Sequence, residues 1–78
     1  MDIKLTDLLK IIPDTVYLTT NNESIPDQYR SIAISARKFK DIISNDISTI
    51  NRTVDMVFPI RSFVPLVETL LVIRLKKE

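Results

Sequence analysis

Between Ile25 and Ile43 the chain carries apolar or small residues at Ile32, Ala33, Ala36, Phe39, Ile42 and Ile43. That spacing by threes and fours places them along one buried helical stripe. The small side chains of Ala33 and Ala36 let a neighbour approach closely, and Phe39 fills the space beyond them. A short helix is expected over 27–33. A second is expected from Ser35 or Ala36 to Ser44, with Ser35 as its cap. Just upstream, the β-branched and aromatic run Thr15-Val16-Tyr17-Leu18-Thr19-Thr20 reads as a strand with Val16 and Leu18 on one face. Asn21-Asn22-Glu23 then supplies a turn into a short second strand ending at Pro26. A hairpin running into helix commits the chain to a mixed α/β (α+β) fold.

The 78 residues make a single domain over 1–78, at 45% hydrophobic and 27% charged a globular composition. A chain this short buries only about 60% of its unfolded surface, and such domains often gain further burial by association. With no Cys and no His, disulfides and the usual zinc sites are excluded. A formal net charge of +1 provides no broad field for phosphates or anionic lipid. No apolar run approaches the ~20 residues of a membrane span. The first residues lack the pattern of a signal peptide, so a cytoplasmic or nuclear location is expected. Glycine is absent. Positive-φ turn positions are therefore expected to fall to Asn21, Asn22, Asn45, Asp46 and Asn51.

Asp2 is placed to cap a helix over about 3–11. Leu5, Leu8, Leu9 and Ile12 give it an apolar face, and Pro13 ends it. That face needs a surface, either the chain's own core or another polypeptide. Residues 44–53, rich in Asn, Asp, Ser and Thr, read as a loop anchored by Ile47 and Ile50. A third strand is expected over 54–58, with Val54, Met56 and Phe58 on one face. A C-terminal helix is expected from about Ser62 through Leu75, with Pro65 in its first turn. Its stripe of Phe63, Leu66, Val67, Leu70, Leu71 and Ile73 leaves Val64, Val72 and Leu75 exposed unless another protein covers them.

The hairpin, the hydrophobic-proline pair Ile25-Pro26, then Ile32, Ala36 and Phe39 followed by Ile42 and Ile43, resembles the opening of BTB/POZ domains. The related Skp and elongin C adaptors share its second half. Gln28, Ala36 and Arg37 stand where many members carry His, Ser and Pro. The resemblance implies an N-terminal helix, a β-hairpin, two short helices, a third strand and a C-terminal helix, a version of the fold that is short at its C-terminus. It also implies a dimer contact through the first helix, for which Leu5, Leu8, Leu9 and Ile12 are the candidates. Adaptor work follows from it as well: a homodimer or hetero-oligomer, with a cullin or a BTB-containing protein as partner.

No pair of polar residues has the spacing of a nucleophile and base, and the carboxylates are scattered singly, so neither an enzyme nor a bound cofactor is expected. The expected function is a non-enzymatic protein-protein interaction module, a cullin-ligase adaptor or a competitor of one. The alternative is a small nucleic-acid-binding regulator that sets Arg37, Lys38 and Lys40, or Arg74, Lys76 and Lys77, against phosphate. Charges on a helix face or at a helix C-terminus are more often merely solvated, which disfavours nucleic acid.

Overall fold

The computed structural model describes residues 2–77. It is a mixed α+β domain in chain order α1 (Leu5–Ile11), β1 (Tyr17–Thr19), a 3-10 turn (Asp27–Tyr29), β2 (Ile34–Ser35), α2 (Ala36–Ile43), α3 (Ile47–Ile50), β3 (Val54–Arg61) and β4 (Thr69–Leu75). The four strands form one mixed sheet in the order β2-β1-β4-β3. β1 runs parallel to β4 and antiparallel to β2, and β3 runs antiparallel to β4.

The largest departure from expectation is at the C-terminus, where the helix anticipated from Ser62 is a loop followed by strand β4. Leu70-Leu71-Val72-Ile73 is apolar all round. A run of that kind suits a strand flanked on both sides as well as it suits a buried helix. Pro65 lies in a turn of the connecting loop, and β3 extends to Arg61 rather than stopping at Phe58.

The first hairpin is also rearranged. β1 pairs not with residues before Pro26 but with Ile34–Ser35, in the register Tyr17↔Ser35 and Leu18↔Ile34. The intervening segment packs Ile25 into the core, with Tyr29 half-buried against it. It also continues beside β4 through side chains. Asn22 Nδ2 donates to the Ile73 carbonyl at 2.9 Å, and the Leu75 N–H donates to Ser24 Oγ at 2.9 Å. Ser24 Oγ in turn donates to Asn22 Oδ1. These bonds take over where β1 has ended and satisfy backbone groups that a longer strand would otherwise pair.

Asn and Asp therefore serve the turns by hydrogen bonding, not by left-handed backbone: among the described residues the only positive φ is at Leu66. The helix expected over 27–33 shrinks to the 3-10 turn, and Ile32 is left exposed. α2 follows the sequence closely. Ser35 caps it by accepting from the Lys38 N–H at 3.2 Å, and Ala36, Phe39 and Ile43 form its buried face. The 44–53 segment contains the short helix α3, capped by Asp46, with Ile50 against the core and Ile47 exposed.

α1 is entered through Lys4, not capped by Asp2. The Leu5 N–H donates to the Arg52 carbonyl at 2.9 Å and the Val54 N–H to the Ile3 carbonyl at 2.8 Å, a short bridge that sets the helix against the sheet. Leu5, Leu8, Leu9 and Ile12 all pack into the chain's own core with Leu18, Ile34, Phe39, Ile43, Ile73 and Leu75. Of the two surfaces open to the α1 face, the chain's own core is the one it occupies.

Candidate functional site

Register decides which side chains share a face, since residues directly opposite in a ladder point the same way. Leu71, Ile73 and Leu75 of β4 lie with Leu18 of β1 and Ile34 of β2 on the side that meets the helices. The alternate residues Leu70, Val72 and Arg74 lie on the other side. Tyr17 is opposite Leu70 and Thr19 opposite Val72 from β1, while Ile60, Phe58 and Met56 are opposite Leu70, Val72 and Arg74 from β3.

A register shift between Val54 and Met56 separates residues that simple alternation would group. Val54 joins Leu75 on the core side, whereas Met56 and Phe58 turn outward. The expected grouping of Val54 with Met56 and Phe58 is therefore overturned by a bulge at Asp55, a feature that hydrophobic pattern alone does not announce.

The outer face is apolar over Tyr17, Met56, Phe58, Ile60, Leu70 and Val72. All the helical residues of the core cluster belong to the opposite side. Leu70 is fully buried, flanked in the sheet by Tyr17 and Ile60, while Met56 is 51% exposed and Phe58, Ile60 and Val72 are half-buried. The adjoining β3–β4 loop adds Phe63 and Leu66, both exposed.

Of the residues expected at a partner surface, Val72 lies on this face and Val64 is half-buried in the loop beside it. Leu75 is buried on the core side with Leu5, Leu8, Leu9 and Ile12. Tyr17, Met56, Phe58 and Ile60 were not singled out from the sequence as partner contacts. Their grouping becomes visible only once Thr69–Leu75 is read as a strand between β1 and β3.

The polar groups mainly tie segments together. Lys40 Nζ donates to the Ile12 carbonyl at 2.5 Å and to Asp14 Oδ1 at 2.9 Å, joining α2 to the end of α1. The hydrogen bond and the charge of Lys40 hold the Asp14 carboxyl below the usual carboxylate range. Asp46 accepts from the Tyr29 hydroxyl at 2.7 Å, the Ser48 hydroxyl at 2.9 Å, the Thr49 N–H at 3.1 Å and the Thr49 hydroxyl at 2.9 Å. Tyr29 first, then the other donors, lower its pKa to about 2, and the same bond raises that of Tyr29. Within the two basic clusters, Lys40 is engaged with Asp14 and Lys76 with Asp2.

An open groove of about 830 Å³ lies beside Ser24, lined by Arg30, Arg52, Arg74 and Lys77 together with Glu23, Asp27 and Asp55. Its charges largely offset one another. Among the described residues no three carboxylates gather as metal ligands, and no helix is long and apolar enough to cross a membrane. No family model, curated protein or solved structure matches the chain.

Proposed function

We propose that this chain is a protein-interaction module that receives another polypeptide on the open face of its sheet, centred on Phe58, Ile60 and Val72. The observation that carries this reading is the contrast in cover: one side of the sheet is packed beneath helices, while on the other Tyr17 and Met56 are exposed and Phe58, Ile60 and Val72 half-buried around a buried Leu70. Grouped apolar surface of this kind, unlike a lone exposed Leu, marks a place where another molecule sits. Burying a fully exposed Phe or Val side chain contributes about 1.5–3 kcal/mol, and residues already half-buried supply roughly a third of that or less each, so the contact draws on several of them together. The sharper cullin-adaptor reading rests on the resemblance alone, which implies a C-terminal helix where Thr69–Leu75 is a strand. The proposal accordingly keeps to the interaction module and names no ligase.

The test compares the wild-type chain with a Phe58→Lys/Val72→Thr variant, after circular dichroism has established that both are folded. The wild-type chain is expected to associate with a polypeptide, a second copy or a different protein, and the variant to lose that association. A folded wild-type chain that stays monomeric and retains nothing from its own host extract, or one whose partner is indifferent to both substitutions, overturns the reading.

A further inference from the structure

We infer that a second copy of this chain joins antiparallel through the edge of strand β3 about a two-fold axis at Phe58, beside the open face and not over it. This inference goes beyond the open-face reading, because it concerns the sheet edge and leaves the open face free for the polypeptide proposed above. The sheet has two edges of very different size: β2 is two residues long, whereas β3 spans eight, of which Val54 is already bonded to Ile3 and 55–61 stay open. An edge strand carries unpaired backbone groups ready to accept another strand.

Which groups face outward follows from the ladder. The Ser62 N–H donates to the Glu68 carbonyl at 3.0 Å, one rung beyond Arg61↔Thr69. Hydrogen-bonded rungs alternate in an antiparallel pair. Ile60, Phe58 and Met56 therefore direct their backbone groups toward β4, and Arg61, Pro59 and Val57 direct theirs outward. Pro59, with no N–H to give, occupies the one kind of position an edge strand allows it.

Two copies of β3 laid antiparallel with Phe58 on the axis match side chain to side chain from Asp55 to Arg61, and the one backbone group without a donor is the Val57 carbonyl opposite Pro59. On the open face Met56 meets Ile60 of the other copy, and Phe58 meets Phe58. On the opposite side Val57 meets Pro59, and its N–H is aligned with the Pro59 carbonyl in both directions. Asp55 meets Arg61, also in both directions, and both residues are exposed in the single chain. Other registers that keep the outward groups together shift the pairing by two residues. They set Arg61 against Val57 or Asp55 against Pro59, leaving a charge opposite an apolar side chain.

Self-complementarity of this kind is what an isologous two-fold contact requires. The bulge at Asp55 and the missing donor at Pro59 blunt the edge against added strands in general, and it is the Asp55–Arg61 match at both ends that favours a second copy over an unrelated strand. Growth stops at two because only the two-residue β2 edges remain outside. The paired sheets present one continuous apolar face. With about 3.4 Å per residue, the paired segment from Asp55 to Arg61 is short, so the contact falls below the standard interface of ~800 Å² per partner and the dimer dissociates on dilution.

Sedimentation equilibrium on the purified full chain, over a range of concentrations at low salt, tests this. A monomer–dimer equilibrium is expected, weakened about tenfold by Asp55→Arg or by Arg61→Asp alone and restored in the double charge swap. The chain has no cysteine of its own. Oxidised Phe58→Cys is expected to form a covalent dimer, because a non-hydrogen-bonded pair brings Cβ atoms within about the reach of a disulfide, whereas Ile60→Cys is not. A dimer indifferent to both single charge changes, or one in which Phe58→Cys fails to cross-link, overturns the assignment. If the wild-type chain is monomeric throughout but retains a different polypeptide that Phe58→Lys/Val72→Thr releases, the second-copy inference falls and the interaction module stands.

Discussion

Adjacent residues of one strand meet opposite fates in this molecule. Leu71, Ile73 and Leu75 of β4 look into a layer built by α1 and α2, and Leu70, Val72 and Arg74 look away from it. The sequence spends apolar residues on both sides, but its helices cover only one. α1 contributes Leu5, Leu8 and Leu9, α2 contributes Ala36, Phe39 and Ile43, and α3 is a single turn that adds Ile50 at the margin. A sheet needs another layer against each apolar face. The difference between the sides is thus one of supply: the covered face holds the core, and the other face keeps apolar side chains that no helix covers.

The comparison breaks most visibly at Phe39, which is fully buried between α2 and the covered face. Phe39→Ala is expected to cost about 3–5 kcal/mol. That approaches the whole stability of a domain of this size, about 5–15 kcal/mol. Val72→Ala on the open face is expected to cost under ~1 kcal/mol. Urea unfolding of both variants at low protein concentration checks the contrast, and equal losses would mean that the open face is covered within the single chain.

A second test lies at the rim of the covered layer. The buried hydroxyl of Thr20 donates to the Tyr29 carbonyl at 2.7 Å and accepts from the Ser31 N–H at 2.9 Å. Thr20→Val keeps the shape and strands both backbone groups, for an expected loss of about 1–3 kcal/mol in the same urea experiment. A neutral result would mean that water reaches this layer as freely as it reaches the other side.

These particulars also mark how far the amino-acid pattern was readable. α2 was legible because a capping serine, a three-and-four stripe and the absence of competing β signals agree at Ser35, Ala36, Phe39 and Ile43. α1 was legible for the same kind of reason. β4 was not: Leu70-Leu71-Val72-Ile73 has no period of its own, and nothing local distinguishes a strand flanked on both sides from a helix buried all round. The partner of β1 was missed because β2 is only two residues long and its pairing depends on contacts distant in sequence. The open face could not be located without these two strands. Val72 was named from the helix reading for its exposure, and it lies on the open face of a strand. The interaction-module reading stays a proposal, argued from surplus apolar surface and not from the element that carries it.

Acid gives a smaller and more local test of the covered layer, through the Asp46 cluster that ties Tyr29 to α3. Asp46 titrates at about 2 in the folded chain against an ordinary 3.8, chiefly because the Tyr29 hydroxyl donates to its charged form. A lowered folded-state pKa contributes stability that is complete above about 3.8 and lost as pH falls toward about 2. Thermal unfolding from pH 5 to pH 2 is expected to show this loss, and Tyr29→Phe to make the acid limb shallower with little change in the covered core. An unchanged slope would place the acid sensitivity at other carboxylates.

The smallest expected effect comes from the loop that borders the open face. Leu66 has φ 67° and is fully exposed, a left-handed backbone without the freedom of glycine and an apolar side chain with nothing over it. Left-handed backbone costs an ordinary residue about 1–2 kcal/mol, and Asn bears it more easily through local hydrogen bonding. Leu66→Asn is therefore expected to stabilise the single chain by up to ~1 kcal/mol, raising its melting temperature by a few degrees at concentrations where copies are apart. If the substitution instead lowers the melting temperature only at high protein concentration, Leu66 contributes to the contact between polypeptides. The open face then extends beyond the strands into the loop, and the backbone strain is retained for association and not for folding.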